Sequence, residues 1–227
     1  MSDDRQVKMS LSLRARDAMS RAALFITACA SLGLLAGCPA TTGSATQTNA
    51  TVAATPVDCT DNSVDCARRY IERASACSQL VDTPTVQSGD ASRRCAVQNY
   101  AAALAHMPAN GADDVRTKGL IGLADSLKAI RDNPTNDNER TEAQQRLDQT
   151  LTRLDQQPGG HPYVQYFVAD SLVAQARSRS LPAADACSQL SQARATLPGA
   201  VANEELSVRV NRLRNAIDVY AQTRSCS

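Results

Sequence analysis

Residues 203–220 read NEELSVRVNRLRNAIDVY and place an apolar side chain at every third or fourth position. This spacing follows the 3.6-residue period of an α-helix, so the apolar side chains share one face. Asn203 is a suitable N-cap, and Glu204 and Glu205 add the negative charge that the first helical turn favours. The segment predicts a helix over 203–223 that packs one stripe inward. That stripe comprises Leu206, Val210, Leu213, Ile217 and Tyr220.

The same period recurs along most of the chain after Cys59. Proline and glycine residues separate the periodic segments, and each break is short. Short breaks between helices favour antiparallel neighbours, so helical hairpins are the expected unit. The spacing predicts seven helices, over residues 64–80, 91–107, 112–132, 138–157, 162–179, 183–197 and 203–223.

The composition also indicates an all-α fold. Aromatic residues make up 3% of the chain and tryptophan is absent, so Ala, Leu, Val and Ile must form the core. Alanine-rich segments have high helix propensity and let helices pack closely. A β-sandwich would need more aromatic and β-branched residues in alternation.

Two of the predicted hairpins contain a spacing that resembles the second helix of a tetratricopeptide repeat. In that family, small residues let the paired helix approach, and a proline ends the unit. The two matches lie 90 residues apart, which is not a multiple of 34, and the first-helix aromatic residues are absent. The resemblance implies antiparallel helical hairpins, either repeat-like or closed as a helical bundle. The matching positions are Ala96, Tyr100, Ala103 and Pro108, then Ala186, Leu190, Ala193 and Pro198.

The N-terminal segment has the features of a secretory signal. Residues 22–36 carry no charge and follow Arg14, Arg16 and Arg21. A membrane-spanning helix needs about twenty apolar residues, whereas this run gives way to small polar residues after Cys38. The pattern therefore favours a signal peptide over a membrane span.

The end of this run, LAGC at residues 35–38, resembles the lipobox of bacterial lipoproteins. In that family the peptidase cleaves before the cysteine, whose sulfur carries a diacylglyceryl group, and acyl chains such as palmitate hold the protein at the membrane. The resemblance implies a signal peptide over 1–37 and lipidation of Cys38. A start at Met19 gives a signal of more usual length. By resemblance to the lipoprotein sorting rule, Pro39 indicates the outer membrane, with the domain in the periplasm.

A tether and one domain are expected after the anchor. Residues 38–58 are rich in alanine and threonine without an apolar period, which predicts a tether ahead of an α-helical domain over 59–227. Removing residues 1–37 takes five basic and three acidic side chains from totals of 24 and 23, which leaves 19 and 20. Near neutrality without a basic run argues against nucleic acid as a partner.

Six cysteines remain when the signal is removed and Cys38 is lipidated. An even number in an oxidising compartment predicts up to three disulfides. Zinc is the alternative, but no C-x-x-C pair occurs and the two histidines lack ligand spacing. The six are Cys59, Cys66, Cys77, Cys95, Cys187 and Cys226.

Helix geometry favours two local pairs near the start of the domain. In an antiparallel hairpin centred near residue 86, Cys77 and Cys95 each lie nine residues from the centre. Cys59 and Cys66 are then close enough in sequence to close the entry to the first helix.

Geometry leaves two alternatives open for the third pair. In a hairpin centred near residue 200, Cys187 and Cys226 lie thirteen and twenty-six residues from the centre, a mismatch of about 20 Å at 1.5 Å per residue. A disulfide requires Cα atoms within about 7 Å. Either the C-terminal tail folds back to form this slightly preferred pair, or Cys226 bonds an N-terminal cysteine.

No arrangement of residues is typical of an enzyme. His106 and His161 are the only histidines, and no G-x-S-x-G turn accompanies either. A capping or solvated role is expected for both. The acidic segment DCTDNSVDC, residues 58–66, lacks the EF-hand glycine, since the sixth position from Asp61 is Cys66. The sequence predicts no catalytic, cofactor or metal site.

These features together favour a binding module over an enzyme. We expect a lipid-anchored periplasmic protein that binds a protein partner, with assembly of an envelope complex as the specific form. An inhibitor or immunity lipoprotein that blocks a hydrolase is the alternative. Core packing is expected for Tyr163, Tyr166 and Phe167, although a partner-binding patch uses the same residue types.

Overall fold

The domain contains α-helices and no strand in the part of the chain that the structure describes. The predicted signal peptide over 1–37, the lipidation site Cys38 and most of the predicted tether lie outside that part. The computed structural model describes residues 56–79, 89–110, 112–199, 201 and 203–226.

The seven helices follow the predicted boundaries to within three residues. The largest difference is at the end of α5, predicted at residue 179, because a turn begins at Arg177. The helices are α1 Val64–Gln79, α2 Gly89–Ala105, α3 Asp113–Asp132, α4 Asp137–Asp155, α5 His161–Ala176, α6 Ala183–Thr196 and α7 Glu204–Thr223.

Side-chain caps set the starts of α4 and α7. The Asn136 side chain accepts a hydrogen bond from the Glu139 N–H at 2.9 Å, and the Glu139 carboxylate accepts one from the Thr135 N–H at 2.6 Å. Asn203 accepts from the Leu206 N–H at 2.9 Å, as its position before two glutamates predicts. Each cap satisfies N–H groups that have no partner within the helix.

Consecutive helices pack in pairs, α1 with α2, α3 with α4 and α5 with α6, and α7 completes the bundle. The buried apolar residues form two clusters, one mainly from α1 to α4 and one from α5 to α7. Phe167 is fully buried in the first cluster, while Tyr163 and Tyr166 contact both. Helix α5 therefore joins the two clusters.

The small residues of the repeat-like spacing lie at helix contacts. Ala96, Ala103, Ala186 and Ala193 are all buried, so a larger side chain at any of them would separate two helices. The all-α fold of packed helix pairs is confirmed, and it is consistent with a disulfide-stapled bundle.

An ion pair also links α3 to α7. Arg209 donates to both carboxylate oxygens of Asp125 at 2.8 Å, and it donates to Glu205 at 2.6 Å within α7. Asp125 and Arg209 are 84 residues apart in sequence, so this contact is purely tertiary.

Three disulfides are present among the described residues. They are Cys59–Cys66, Cys77–Cys95 and Cys187–Cys226, with Cα atoms 5.8, 5.8 and 5.4 Å apart. All three join partners that are local along the chain, and none crosses from one end of the domain to the other.

The Cys187–Cys226 bond corrects the expected centre of the last hairpin. Arg194 of α6 forms an ion pair with Asp218 of α7, and the midpoint of positions 194 and 218 is 206 rather than 200. The midpoint of 187 and 226 is 206.5, so the ion pair and the disulfide indicate the same register between α6 and α7. The connection after α6 leaves Leu197 with extended backbone angles, which lets α7 begin well beyond the end of α6. This offset removes the predicted mismatch.

The C-terminal tail also turns back toward α6. Ser225 has a φ of 55°, and the Cys226 N–H donates to the Ala221 carbonyl at 2.9 Å. This turn redirects the chain immediately before the cysteine, so both the helix offset and the tail contribute to the bond.

A cationic cleft as the candidate functional site

The six cysteines predicted to form disulfides are bonded to one another in pairs. The Cys59 and Cys66 sulfurs and the Asp61 carboxylate lie within 4.8 Å of one another, which is a metal-like grouping. The two sulfurs, however, are bonded to each other and cannot act as thiolate ligands. The loop thus closes the entry to α1.

The two histidines occupy separate structural positions. His106 follows the end of α2, its ring stacks on Tyr70 at 5.3 Å, and its Nδ1 lies 3.1 Å from the Asp61 carbonyl oxygen. His161 begins α5, and its Nδ1 lies 2.7 Å from an Asp155 carboxylate oxygen. Neither ring bonds a serine or cysteine side chain within the described ranges. The structure does not assemble a nucleophile and a general base here.

The aromatic residues of α5 pack inside the domain. The Tyr166 ring contacts the Phe167 ring edge-on, with centroids 5.2 Å apart. Because Tyr163 and Tyr166 are partly buried against both core clusters, their main contacts are internal.

Two neighbouring cavities carry an excess of arginines. The first is a cavity of about 620 Å³ between the end of α3, α4 and α5. The second, of about 610 Å³, lies at the C-terminal ends of α5 and α7. Arg177 lines both cavities, and we call the two together the cationic cleft. The first is lined by Arg131, Asp132, Arg140, Gln144, Gln145 and Arg177, among others, and the second by Arg177, Arg179, Tyr220, Thr223 and Arg224.

The base of the cleft is a closed network around Arg131. This side chain is only 6% exposed, and it donates to Asp170 at 2.6 Å, to Ser171 at 2.7 Å and to Asp132 at 2.8 Å. Lys128 donates to Asp132 at 2.8 Å and lies 3.5 Å from Asp170. Two positive and two negative charges compensate one another, so the base is rigid and internally paired.

The network favours the charged forms of Lys128, Arg131 and Asp132. Burial lowers the pKa of Arg131 and of Lys128, but the neighbouring Asp132 and Asp170 raise both by more. Burial raises the pKa of the Asp132 carboxyl, but Lys128 and Arg131 lower it by more. Lys128, Arg131 and Asp132 are therefore all ionised at neutral pH.

The arginines of the second cavity are different, because they lack carboxylate partners. Arg224 donates to the carbonyls of Ala176 and Ser178, at 3.3 and 2.7 Å, and so caps the end of α5. Arg177 lies over the Tyr220 ring at 5.3 Å. Within the described ranges no carboxylate lies within 4 Å of Arg177, Arg179 or Arg224.

The cleft is not apparent from the sequence. Its arginines come from α3, α4, the turn after α5 and the end of α7, and the chain as a whole is nearly neutral. The segment QARSRS, residues 175–180, is the one local signal, since it places two arginines beyond a helix end. Only the fold brings Arg224 to the same place.

Among the described helices, none combines the length and the apolarity that a membrane crossing requires. A comparison of the chain with protein-family models finds no match, and comparisons with curated proteins and with solved structures find none either.

Proposed function

We propose that this protein is a lipid-anchored module of the outer membrane that binds a protein partner in the periplasm, as in the assembly of an envelope complex. The cationic cleft is the observation that carries the proposal. It combines a buried, internally paired base with arginine and tyrosine side chains, which are enriched among the residues that dominate protein interfaces.

The lipobox-like residues support the proposed location at the outer membrane. LAGC at residues 35–38 follows a charge-free run, and a lipid on Cys38 would attach the domain through the alanine- and threonine-rich segment. Three disulfides are also in keeping with an oxidising compartment.

Binding explains the cleft better than catalysis does. The charged groups at its base, centred on Arg131, are fully paired with one another. Groups held in this way can position a surface but have no spare proton to exchange at neutral pH. We therefore assign the cleft to recognition.

Crosslinking in intact cells tests the proposed interaction. A photoreactive amino acid is placed at Gln145 or Ser178, which line the cleft, and at Arg69 or Arg212 as exposed control positions away from it. The expected result is one stoichiometric protein adduct from the cleft positions and none from the controls. Absence of an adduct from every position would overturn the proposal.

Mass spectrometry of the protein from its own membrane tests the proposed anchor. A triacylated Cys38 and six cysteines in three bonds are expected, and Cys38→Ser should release the domain from the membrane fraction. An unlipidated chain that still fractionates with membranes would contradict the anchor.

A further inference from the structure

The second cavity carries positive charge that no carboxylate of the described residues neutralises. Arg177 and Arg179 are exposed, and their guanidinium groups donate no hydrogen bond within the described residues. Among the described residues, the nearby guanidinium of Arg140 pairs with Asp137 alone, at 3.4 Å, and the Asp137 side chain is 95% exposed. Such an exposed pair contributes little and is readily exchanged for another carboxylate.

The remaining lining residues suit a polypeptide backbone. Gln144, Gln145 and Gln175 line the first cavity and offer amide donors and acceptors, while Tyr220 and Thr223 line the second. Because Arg177 lines both cavities, a peptide bound across it would contact Arg140 in the first cavity and Arg179 in the second. The cleft is therefore matched to an extended ligand with several negative groups.

We infer that the cationic cleft binds an extended acidic segment of the partner protein, whose carboxylates pair with Arg177 and Arg179. This inference rests on the proposed function and adds the chemistry of the partner. A guanidinium group donates two parallel hydrogen bonds to a carboxylate, and the stacking of Arg177 on Tyr220 already orients one of the two guanidinium groups.

A peptide is favoured over a compact phosphate by the distribution of the charges. A single phosphate is best held where several donors converge on one point, whereas these guanidinium groups are spread over two cavities. The glutamine side chains that line the first cavity offer both donors and acceptors, so they can pair with the N–H and the C=O groups of a peptide, whereas a phosphate would use only their donors.

A peptide titration with the full-length protein, purified in detergent, tests the inference. The probe is a fluorescent peptide of about ten residues that alternates glutamate and serine, and a glutamine–serine peptide is its neutral control. We expect the acidic peptide to bind at least about tenfold more tightly, with the difference shrinking as salt rises from about 50 to about 300 mM.

Paired variants locate the binding site. The variant R177E/R179E should lower the affinity about a hundredfold, at roughly tenfold for each reversed charge. The control R69E/R212E makes the same change at two exposed arginines outside the cleft and should alter the affinity less than about twofold. R177Q/R179Q removes the charges without introducing repulsion and should give an intermediate loss.

Three results would overturn the inference. They are equal binding of the two peptides, equal losses in the cleft and control variants, and full displacement of the acidic peptide by millimolar inorganic phosphate or by phosphatidylglycerol vesicles. The last result would assign the cleft to a phosphate-bearing ligand. If the titration fails while crosslinks from Gln145 persist, the acidic segment is excluded and the interaction module stands.

Discussion

At the residue scale, the charged side chain of Arg131 is accommodated in the interior because two helices supply its hydrogen-bond acceptors. Asp132 lies beside it on α3, while Asp170 and Ser171 approach from α5. Removing one charged member would leave a net, uncompensated charge in the buried network. This costs more free energy of folding than the same change at an exposed ion pair. The network thus ties the base of the cleft to the stability of the domain.

Asp132→Asn tests this coupling through its pH dependence. The pKa of the Asp132 carboxyl lies below the ordinary 3.8 in the folded protein, because Lys128 and Arg131 outweigh the opposing effect of burial. Its stabilising contribution is therefore complete above about pH 4 and is lost as the pH falls through the lower folded value. We expect the variant to be about 1 to 2 kcal/mol less stable at pH 7.

Urea unfolding between about pH 7 and about pH 3 is the measurement, and the difference between variant and native protein should shrink at the acid end. Asp58→Asn is the matched control, since Asp58 is exposed and precedes the first helix. A difference that stays constant with pH would show that the carboxylate charge is not what stabilises the network.

At the element scale, one glycine sets the separation of α2 and α3. Gly122 lies in GLIGL, residues 119–123, in the middle of α3, and a Cβ atom there would lie 2.3 Å from the Tyr100 ring. Tyr100 is itself buried, so its ring has no open space to enter. The glycine is retained despite its low helix propensity because the two helices approach closely at this point.

Gly122→Ala should destabilise the domain by about 1 to 2 kcal/mol. The gain in helix propensity is about 1 kcal/mol, and overpacking against Tyr100 exceeds it. Thermal and urea unfolding of the purified variant measure the change. In a Tyr100→Leu background the substitution should instead stabilise by up to about 1 kcal/mol, because the ring atoms that would clash are absent and the gain in helix propensity remains.

Gly119→Ala is the internal control for this prediction. A Cβ at this position would lie 3.2 Å from Leu104 Cδ2, which a small shift of the leucine relieves. Its effect should be near zero or slightly stabilising. Equal losses at Gly119 and Gly122 would point to a general intolerance of α3 to alanine and would contradict the role of Tyr100.

At the scale of the whole molecule, disulfides and ion pairs between helices reinforce the apolar core. The apolar interior is divided into two clusters joined by α5, and the Asp125–Arg209 pair links α3 with α7 across them. Each disulfide restricts a different length of chain, with sequence separations of 7, 18 and 39 residues. The three bonds should therefore differ in how much they stabilise the fold.

Replacing each pair of cysteines by alanine should destabilise in order of loop length. In the chain-entropy model the losses are about 2, about 3 and about 4 kcal/mol for Cys59–Cys66, Cys77–Cys95 and Cys187–Cys226. Urea unfolding without reductant gives the three values. The reverse order would show that the bonds act on the native state rather than on the unfolded chain.

The helices themselves follow from local sequence. A 3.6-residue apolar period and proline or glycine breaks predict all seven within three residues of their ends, because both signals act between residues that are close in the chain. The favoured pairing of Cys77 with Cys95 needs only one short hairpin and the rise per residue.

What tertiary structure alone decided is the relative placement of these helices. The offset of α7 against α6, which centres the hairpin at 206, depends on the extended backbone at Leu197 and on where the apolar stripes meet, and neither has a local signature. The cleft has the same origin: Arg131, Arg177 and Arg224 converge only after α3, α5 and α7 have packed. The apolar period of a helix determines which of its faces is buried. Which neighbouring helix packs against that face is decided only when the apolar faces of all the helices are buried together.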